Sequence, residues 1–141
     1  MRVSSRADYG VRALFDLSLR AGHGPVQNRD IAARQEIPEA YLHQVLGMLG
    51  RAGLIRSTRG PQGGHELARE PSEISLYDIL LVLDGIDSKL HPHPDGIRAS
   101  DVVHEIWHEM QEQNDHRLRS ITLQTLVERH AEREPSANYA I

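Results

Sequence analysis

Behind a serine pair at Ser4 and Ser5, apolar side chains recur at helical spacing through Val11, Leu14, Phe15, Leu17 and Leu19. This predicts an amphipathic helix, capped by one of the serines and ending near Gly22. Gly22-His-Gly-Pro25 predicts a turn. Gln27 or Asn28 then opens a short helix over 29–35 with Ile31 and Ala32 facing inward. That helix is expected to break at Ile37-Pro38, because a residue before proline is disfavoured in helical backbone. Pro38 can itself start the next helix, where its missing N–H costs nothing. Tyr41, Leu42, Val45, Leu46 and Leu49 continue at helical spacing to Gly53, and two short helices joined by a tight turn outline a helix-turn-helix.

Leu54-Ile-Arg-Ser-Thr58 and His65-Glu-Leu67 read as two short strands around Arg59-Gly-Pro-Gln-Gly-Gly64, a hairpin with a loose tip. A hairpin directly after the second helix of such a pair is a wing. Pro71-Ser72 reads as a linker, and Ser75-x-x-Asp78 caps an apolar helix through Leu83, closed by Gly85. Residues 86–99 show no period and form a loop. A long helix is expected from Ser100 to about Arg119, with Val103, Ile106, Trp107, Met110 and Leu118 along one stripe. Thr122 caps a last short helix carrying Leu123, Leu126 and Val127, and the tail from Pro135 is expected to be disordered. The fold class is therefore mostly α with a small β-hairpin wing. The divisions are a winged helix-turn-helix over 1–85, a loop over 86–99, a long and a short helix over 100–134, and a tail over 135–141.

With 141 residues, 39% of them apolar and 26% charged, the chain has the length and composition of one soluble globular domain. No apolar run approaches a membrane span, and the opening MRVSSRADYG lacks the apolar stretch of an export signal, so a cytoplasmic protein is expected. The chain has no cysteine, which removes disulfides and thiol chemistry. The formal net charge of −4 hides an asymmetry. Residues 1–69 hold ten arginines against six acidic groups, whereas residues 70–141 hold six basic groups against fourteen. Phosphates respond to local field rather than net charge, and arginine's fork suits phosphate and base edges.

The stretches SSRADYGVRALFDLSL (4–19), DIAARQEIPEAYLHQVLGMLGRAG (30–53) and LIRSTRGPQGGHEL (54–67) together resemble the Rrf-type, IscR-like winged-helix transcriptional regulators of bacteria. The specific signature is Tyr41-Leu42, Ala52-Gly53-Leu54 and Arg59-Gly60-Pro61 with Gly63-Gly64. Residues 74–85, Trp107 and Ile121-Thr122-Leu123 extend the likeness to nearly the whole chain. The resemblance implies a homodimer in which the long helix crosses its partner's, a recognition helix over 39–52 in the major groove of double-stranded DNA, and wing tips near the minor groove. The residues agree, since an apolar stripe on an otherwise isolated helix needs a partner surface. Two-fold symmetry in turn predicts a semi-palindromic operator, and a repressor is the expected kind of regulator, although symmetry does not set the sign.

In this arrangement Glu39, Ala40, His43 and Gln44 point at base edges. Gln44 can pair with adenine in two places and His43 can donate to guanine, although the family often carries an acidic residue at the His43 position. Tyr41 stands among these positions but is read, with Leu42 and Leu46, mainly as packing. Arg59 at the wing tip suits a narrow minor groove. Gly60, Gly63 and Gly64 allow close backbone approach to phosphates, while Arg2, Ser4, Arg51, Arg56 and Ser57 are candidate phosphate contacts. The glycine run lacks the lysine and following helix of a nucleotide-binding loop.

Cluster-bearing relatives carry three cysteines in the loop before the long helix, and some add a histidine within it. Here Asp101 stands at the last cysteine position, His104 at the histidine position, and Asp8 at a position some relatives use as a ligand from the partner subunit. Without thiolates no ordinary cluster can be held, so no iron–sulfur cofactor is expected. His91, His93, Asp101 and His104 could instead surround a divalent metal such as zinc or nickel, set against the plainer reading of a polar loop and a solvated helix face. A small molecule or a regulatory protein is the other expected input to the 86–104 region, and some cluster-free relatives work through a protein partner. Two further functions compete with the regulator. His104-Glu105-x-x-His108 matches the zinc-peptidase pattern, but it lacks an obvious third ligand and lies on the helix wanted for pairing. A winged-helix module that binds only protein is the other, distinguished by its weak response to salt.

Overall fold

The computed structural model describes residues 2–85 and 99–134. Six helices and one hairpin follow in the order α1 (Ser5–Leu19), α2 (Asn28–Gln35), α3 (Glu39–Arg51), β1 (Ile55–Thr58), β2 (Gly64–Leu67), α4 (Leu76–Asp84), α5 (Ala99–Ser120) and α6 (Leu123–Arg133), with a short 3-10 turn at Pro71–Glu73. The predicted helices are all present.

Three of them begin at side-chain caps. Ser4 Oγ accepts from the Ala7 N–H at 3.0 Å and starts α1. Ser75 with Asp78, and Thr122 with Thr125, form reciprocal boxes at α4 and α6. The stop of α2 differs from the expectation. Glu36, one residue before Ile37, already takes the left-handed conformation at φ 54° and ψ 48°, and its N–H returns to the Ala32 carbonyl. A left-handed cap satisfies the last carbonyls of the helix, so Pro38 is not what ends it.

One core joins all six helices except α5. Leu14, Leu17, Ile31, Leu42, Val45, Leu49, Ile74, Ile79, Leu83 and Leu123 are buried together in it. Where α1 crosses α4, Gly10 is buried, and a methyl group there would fall 2.1 Å from Leu83 Cδ1. The close crossing therefore depends on the missing side chain. The stretch read as a linker is instead part of the structure: Pro71 is buried and the 3-10 turn packs against α6. An antiparallel bridge pairs Ser75 with Thr122, through Leu76 N–H to Ile121 O at 2.8 Å and Leu123 N–H to Ile74 O at 2.9 Å. The starts of α4 and α6 are thereby tied, and α6 belongs to the head formed by the first 85 residues rather than to a separate unit with α5.

The polar face of α1 holds a second surprise. Asp16, in the last turn of this amphipathic helix, is 1% exposed. Arg34 of α2 grips its carboxylate with two parallel bonds, Nε to Oδ1 and Nη2 to Oδ2, both 2.9 Å. Arg20 adds a contact at 3.3 Å and Gln35 one at 3.4 Å. This hydrogen bonding raises the Arg34 guanidinium further above its ordinary value, partly opposed by burial. Buried charge needs such pairing, and here it locks α1 to α2.

Candidate nucleic-acid interface

The helix α3 is divided along its length by what it buries. Leu42, Val45, Leu46 and Leu49 face the core, while Glu39, Ala40, His43, Gln44 and Arg51 are exposed. The first turn and a half of α3 therefore presents a row of polar side chains to solvent from a rigid helix. Tyr41 lies between the two sets, 36% exposed, with its ring edge against Tyr9 at 5.1 Å between centroids. Arg12 stacks over Tyr9 and donates to Asp8 and to the Gln35 carbonyl, so this chain of contacts ties α3 to α1 and α2. Tyr41 is thus exposed on the polar side of α3 while its ring edge packs against Tyr9.

The wing pairs Ile55 with Leu67 and Thr58 with Gly64 in antiparallel register. Ile55 anchors β1 in the core, and Arg56, Ser57 and Thr58 are exposed. Arg59, Gly60, Pro61 and Gln62 form an exposed tip. Gly60 adopts a φ of +104°, which favours glycine. Gly63 has a different role from the one expected of it. It is buried, and an added methyl would meet the Thr58 carbonyl oxygen at 2.0 Å, so glycine there closes the hairpin instead of opening a path to phosphate.

What fastens the wing to the helices is absent from the predicted set. Val26 and His65 exchange backbone bonds of 2.9 and 2.8 Å, an isolated antiparallel bridge beside β2. Gln27 Nε2 donates to the Pro61 carbonyl at 3.2 Å and so reaches the wing tip from the start of α2. The His65 ring contacts Ser57 Oγ through Nδ1 at 2.7 Å and Asn28 Oδ1 through Nε2. Burial, and next the charge of His43 on α3, hold the His65 imidazole below its ordinary value. The β-branched Val26 after Pro25 is the one sequence signal that pointed to an extended segment here.

The matching of the chain to known families decides the class. Residues 3–129 match the Rrf2 family, described as iron-dependent transcriptional regulators. The chain belongs to the Rrf2 family. The HTH-type transcriptional regulator IscR of Serratia proteamaculans is 35% identical over 130 residues, covering 90% of this Rrf2 chain and 79% of its own length. The solved structure of CymR, the global cysteine regulator of B. subtilis, superposes with a TM-score of 0.81 at 32% identity, covering 89% of this chain and 95% of CymR. IscR of T. potens does so with a TM-score of 0.80 at 36% identity, over 95% and 91% of the two chains. The winged-helix fold and the role of transcriptional regulator follow. These relatives are regulators rather than enzymes, which removes the peptidase reading of His104-Glu105-x-x-His108.

Several expected site residues of this Rrf2 chain sit differently from their sequence reading. Arg2, Arg51, Arg56, Ser57 and Arg59 are exposed. Ser4 is not available to phosphate in the way expected: besides capping α1, its hydroxyl donates to the Asp84 carboxylate, at 2.7 and 2.8 Å to the two oxygens. On α5 the large exposed apolar side chains are Val102, Val103, Ile106, Trp107 and Met110, from 46% exposed at Trp107 to 63% at Val102. Leu118 is partly buried within the chain near the end of α5 that joins the head, and Val102, outside the expected stripe, is exposed beside it. His91 and His93 lie outside the described residues. Among the described residues no group of three acidic or histidine side chains is placed to hold a metal ion. No described helix is long and apolar enough to cross a membrane.

The iron dependence in the family's description raises the question of a cluster. Its usual ligands are thiolates, and this chain has none to offer. Asp101 and His104 supply oxygen and nitrogen donors only. The residues present do not fit an ordinary iron–sulfur cluster.

Proposed function

We propose that this Rrf2 chain is a cytoplasmic repressor that binds a semi-palindromic operator in double-stranded DNA as a homodimer and works without an iron–sulfur cluster. The observation that carries the reading is the apolar stripe of α5, from Val102 to Met110, left nearly half in water on a helix tied to a DNA-reading head. Five large apolar side chains in one row on a soluble protein mark a contact surface. A second copy covering it places two α3 helices and two wings at a fixed separation, as a palindromic duplex requires. Glu39, Ala40, His43 and Gln44 then lie along the major groove. Arg59 enters the minor groove beside it, with Gly60 at its back, and Arg2, Arg51 and Arg56 hold the flanking phosphates, with Ser57 exposed next to Arg56. A signal acting on the 86–104 segment, through a divalent ion, a small molecule or a partner protein, alters the crossing of the two α5 helices and hence the spacing of the heads.

The test is to recover a duplex from a random-sequence pool and measure binding against salt. Gln44→Ala is expected to cost about 1–3 kcal/mol and to relax preference at a single base position. Arg56→Ala, at a phosphate contact, is expected to weaken all duplexes alike and to reduce the slope of log affinity against log salt by about one. A chain that selects no duplex, or whose binding ignores salt, is a protein-binding module instead. A chelator that leaves binding and repression unchanged eliminates the divalent-ion input.

A further inference from the structure

Four elements of the reading head, α2, α3, β1 and β2, come together around the side chain of His65. Its ring on β2 lies between Asn28 at the start of α2 and Ser57 on β1, and it is close enough to His43 on α3 to feel that ring's charge. The chemistry of the partners determines the protons. Asn28 Oδ1 is an acceptor only, so Nε2 of His65 carries a hydrogen. In the neutral ring Nδ1 is then a lone pair, and the contact at 2.7 Å requires Ser57 to donate its hydroxyl hydrogen inward. A serine has one such hydrogen. While it is spent on the ring, Ser57 offers only lone pairs outward, and a phosphate offers only lone pairs in return.

Protonation reverses one bond without breaking either. Nδ1–H now donates to Ser57 Oγ, Nε2–H still donates to Asn28, and the hydroxyl hydrogen is released to turn toward solvent. Ser57 is exposed on β1 beside Arg56, where a phosphate contact is expected. We propose that His65 is a positioning residue for duplex binding: its protonation state decides whether the Ser57 hydroxyl can donate to a DNA phosphate. This rests on the DNA-binding reading above.

The surroundings fit a ring that can change state. His65 lies on the wall of a surface cavity of about 430 Å³ between the end of α1 and the base of the wing, which gives protons access. The charged groups around that cavity are Arg20 from α1, Arg56 from β1, Glu66 from β2, and Arg69, Glu70 and Glu73 just beyond it. Three cations and three anions offset one another. From α2 the facing group is the neutral Asn28, and from α3 it is His43. The lowered ionisation of His65 means that the neutral, inward-donating form prevails at neutral pH, and the released form gains as pH falls.

Binding of the selected duplex is therefore expected to tighten about tenfold between pH 7.5 and pH 5.5 at constant ionic strength, the gain of one charge-assisted bond. His65→Gln keeps a donor for Asn28 but has no ionisable nitrogen, and should flatten the profile to about twofold. Ser57→Ala should flatten it equally, and the double variant should be no flatter than either alone. His43→Gln, measured alongside, removes that ring's own contribution. Nitrogen-detected NMR of the wild-type protein at pH 7.5 should show the His65 hydrogen on Nε2, a readout that does not depend on any variant folding. A hydrogen on Nδ1, or a His65→Gln profile as steep as the wild type, overturns the proposal. Absence of duplex binding by the wild type at every pH overturns the DNA-binding reading itself, and this inference with it.

Discussion

Ile106→Asp combined with Trp107→Asp is expected to give a folded monomer that loses at least a hundredfold in affinity for a full operator. Both side chains are about half exposed in the single chain, so neither substitution removes core packing from the head. In a dimer the same positions are covered. Burial of each large apolar side chain contributes roughly 1.5–3 kcal/mol, and an unpaired carboxylate in its place costs several more. Two such changes repeated in two chains place four carboxylates in one apolar contact. Each head would then meet its half-site alone, without the second head held nearby, and affinity would fall toward that of one module. Sedimentation velocity gives the oligomeric state, circular dichroism the helix content, and titration of full and half operators the affinity. A double variant that stays dimeric, or a monomer that binds the full operator as well as the wild type does, removes α5 from the mechanism.

The second large effect concerns stability. Asp16→Ala should lower the unfolding free energy by about 2–3 kcal/mol, somewhat less than the roughly 3–5 kcal/mol typical of breaking a buried ion pair. The discount arises because Arg34 and Arg20 each keep about a third of their side-chain surface in water and can re-solvate once the carboxylate is gone. What cannot be recovered is the fastening between α1 and α2, which sets the entry of the helix-turn-helix. Urea unfolding should show a lower midpoint with an unchanged slope. A loss below about 0.5 kcal/mol would show that the two helices are held by apolar packing alone. Arg34→Met, which removes the charge but keeps much of the stem, should fall in the same direction and be non-additive with Asp16→Ala.

Much of the architecture was legible in the chain because it is locally encoded. Ser4, Ser75 and Thr122 announce their helices through caps that involve residues three positions away. The spacing of Leu42, Val45, Leu46 and Leu49 gives the buried face of α3, and leaves His43 and Gln44 on the other side by geometry. The glycines around Arg59 mark the wing for the same reason. Features made by distant parts of the chain were not legible. Asp16 finds Arg34 eighteen residues on, and Ser4 finds Asp84 eighty residues on. Neither pairing has a local signature, so nothing near Asp16 announces its burial and a capping serine reads as free for phosphate. His65 looked like any strand residue because Asn28 and Ser57 meet it only after α2 docks on the hairpin. Gly63 was assigned to DNA because a glycine at a wing tip can serve either the ligand or the turn, and only the Thr58 carbonyl shows which.

The joint between Ser75 and Thr122 bears on how such a molecule could respond to a signal. Two short backbone bonds and a pair of facing caps leave little play where the long helix meets the rest of the chain. A stiff limb that cannot swivel at its root behaves as a tiller: a few degrees of rotation at its far end turn the whole head by the same angle. In the proposed dimer the reading surface would not have to deform to release an operator, and the stiffness of that one joint would set how small a push suffices.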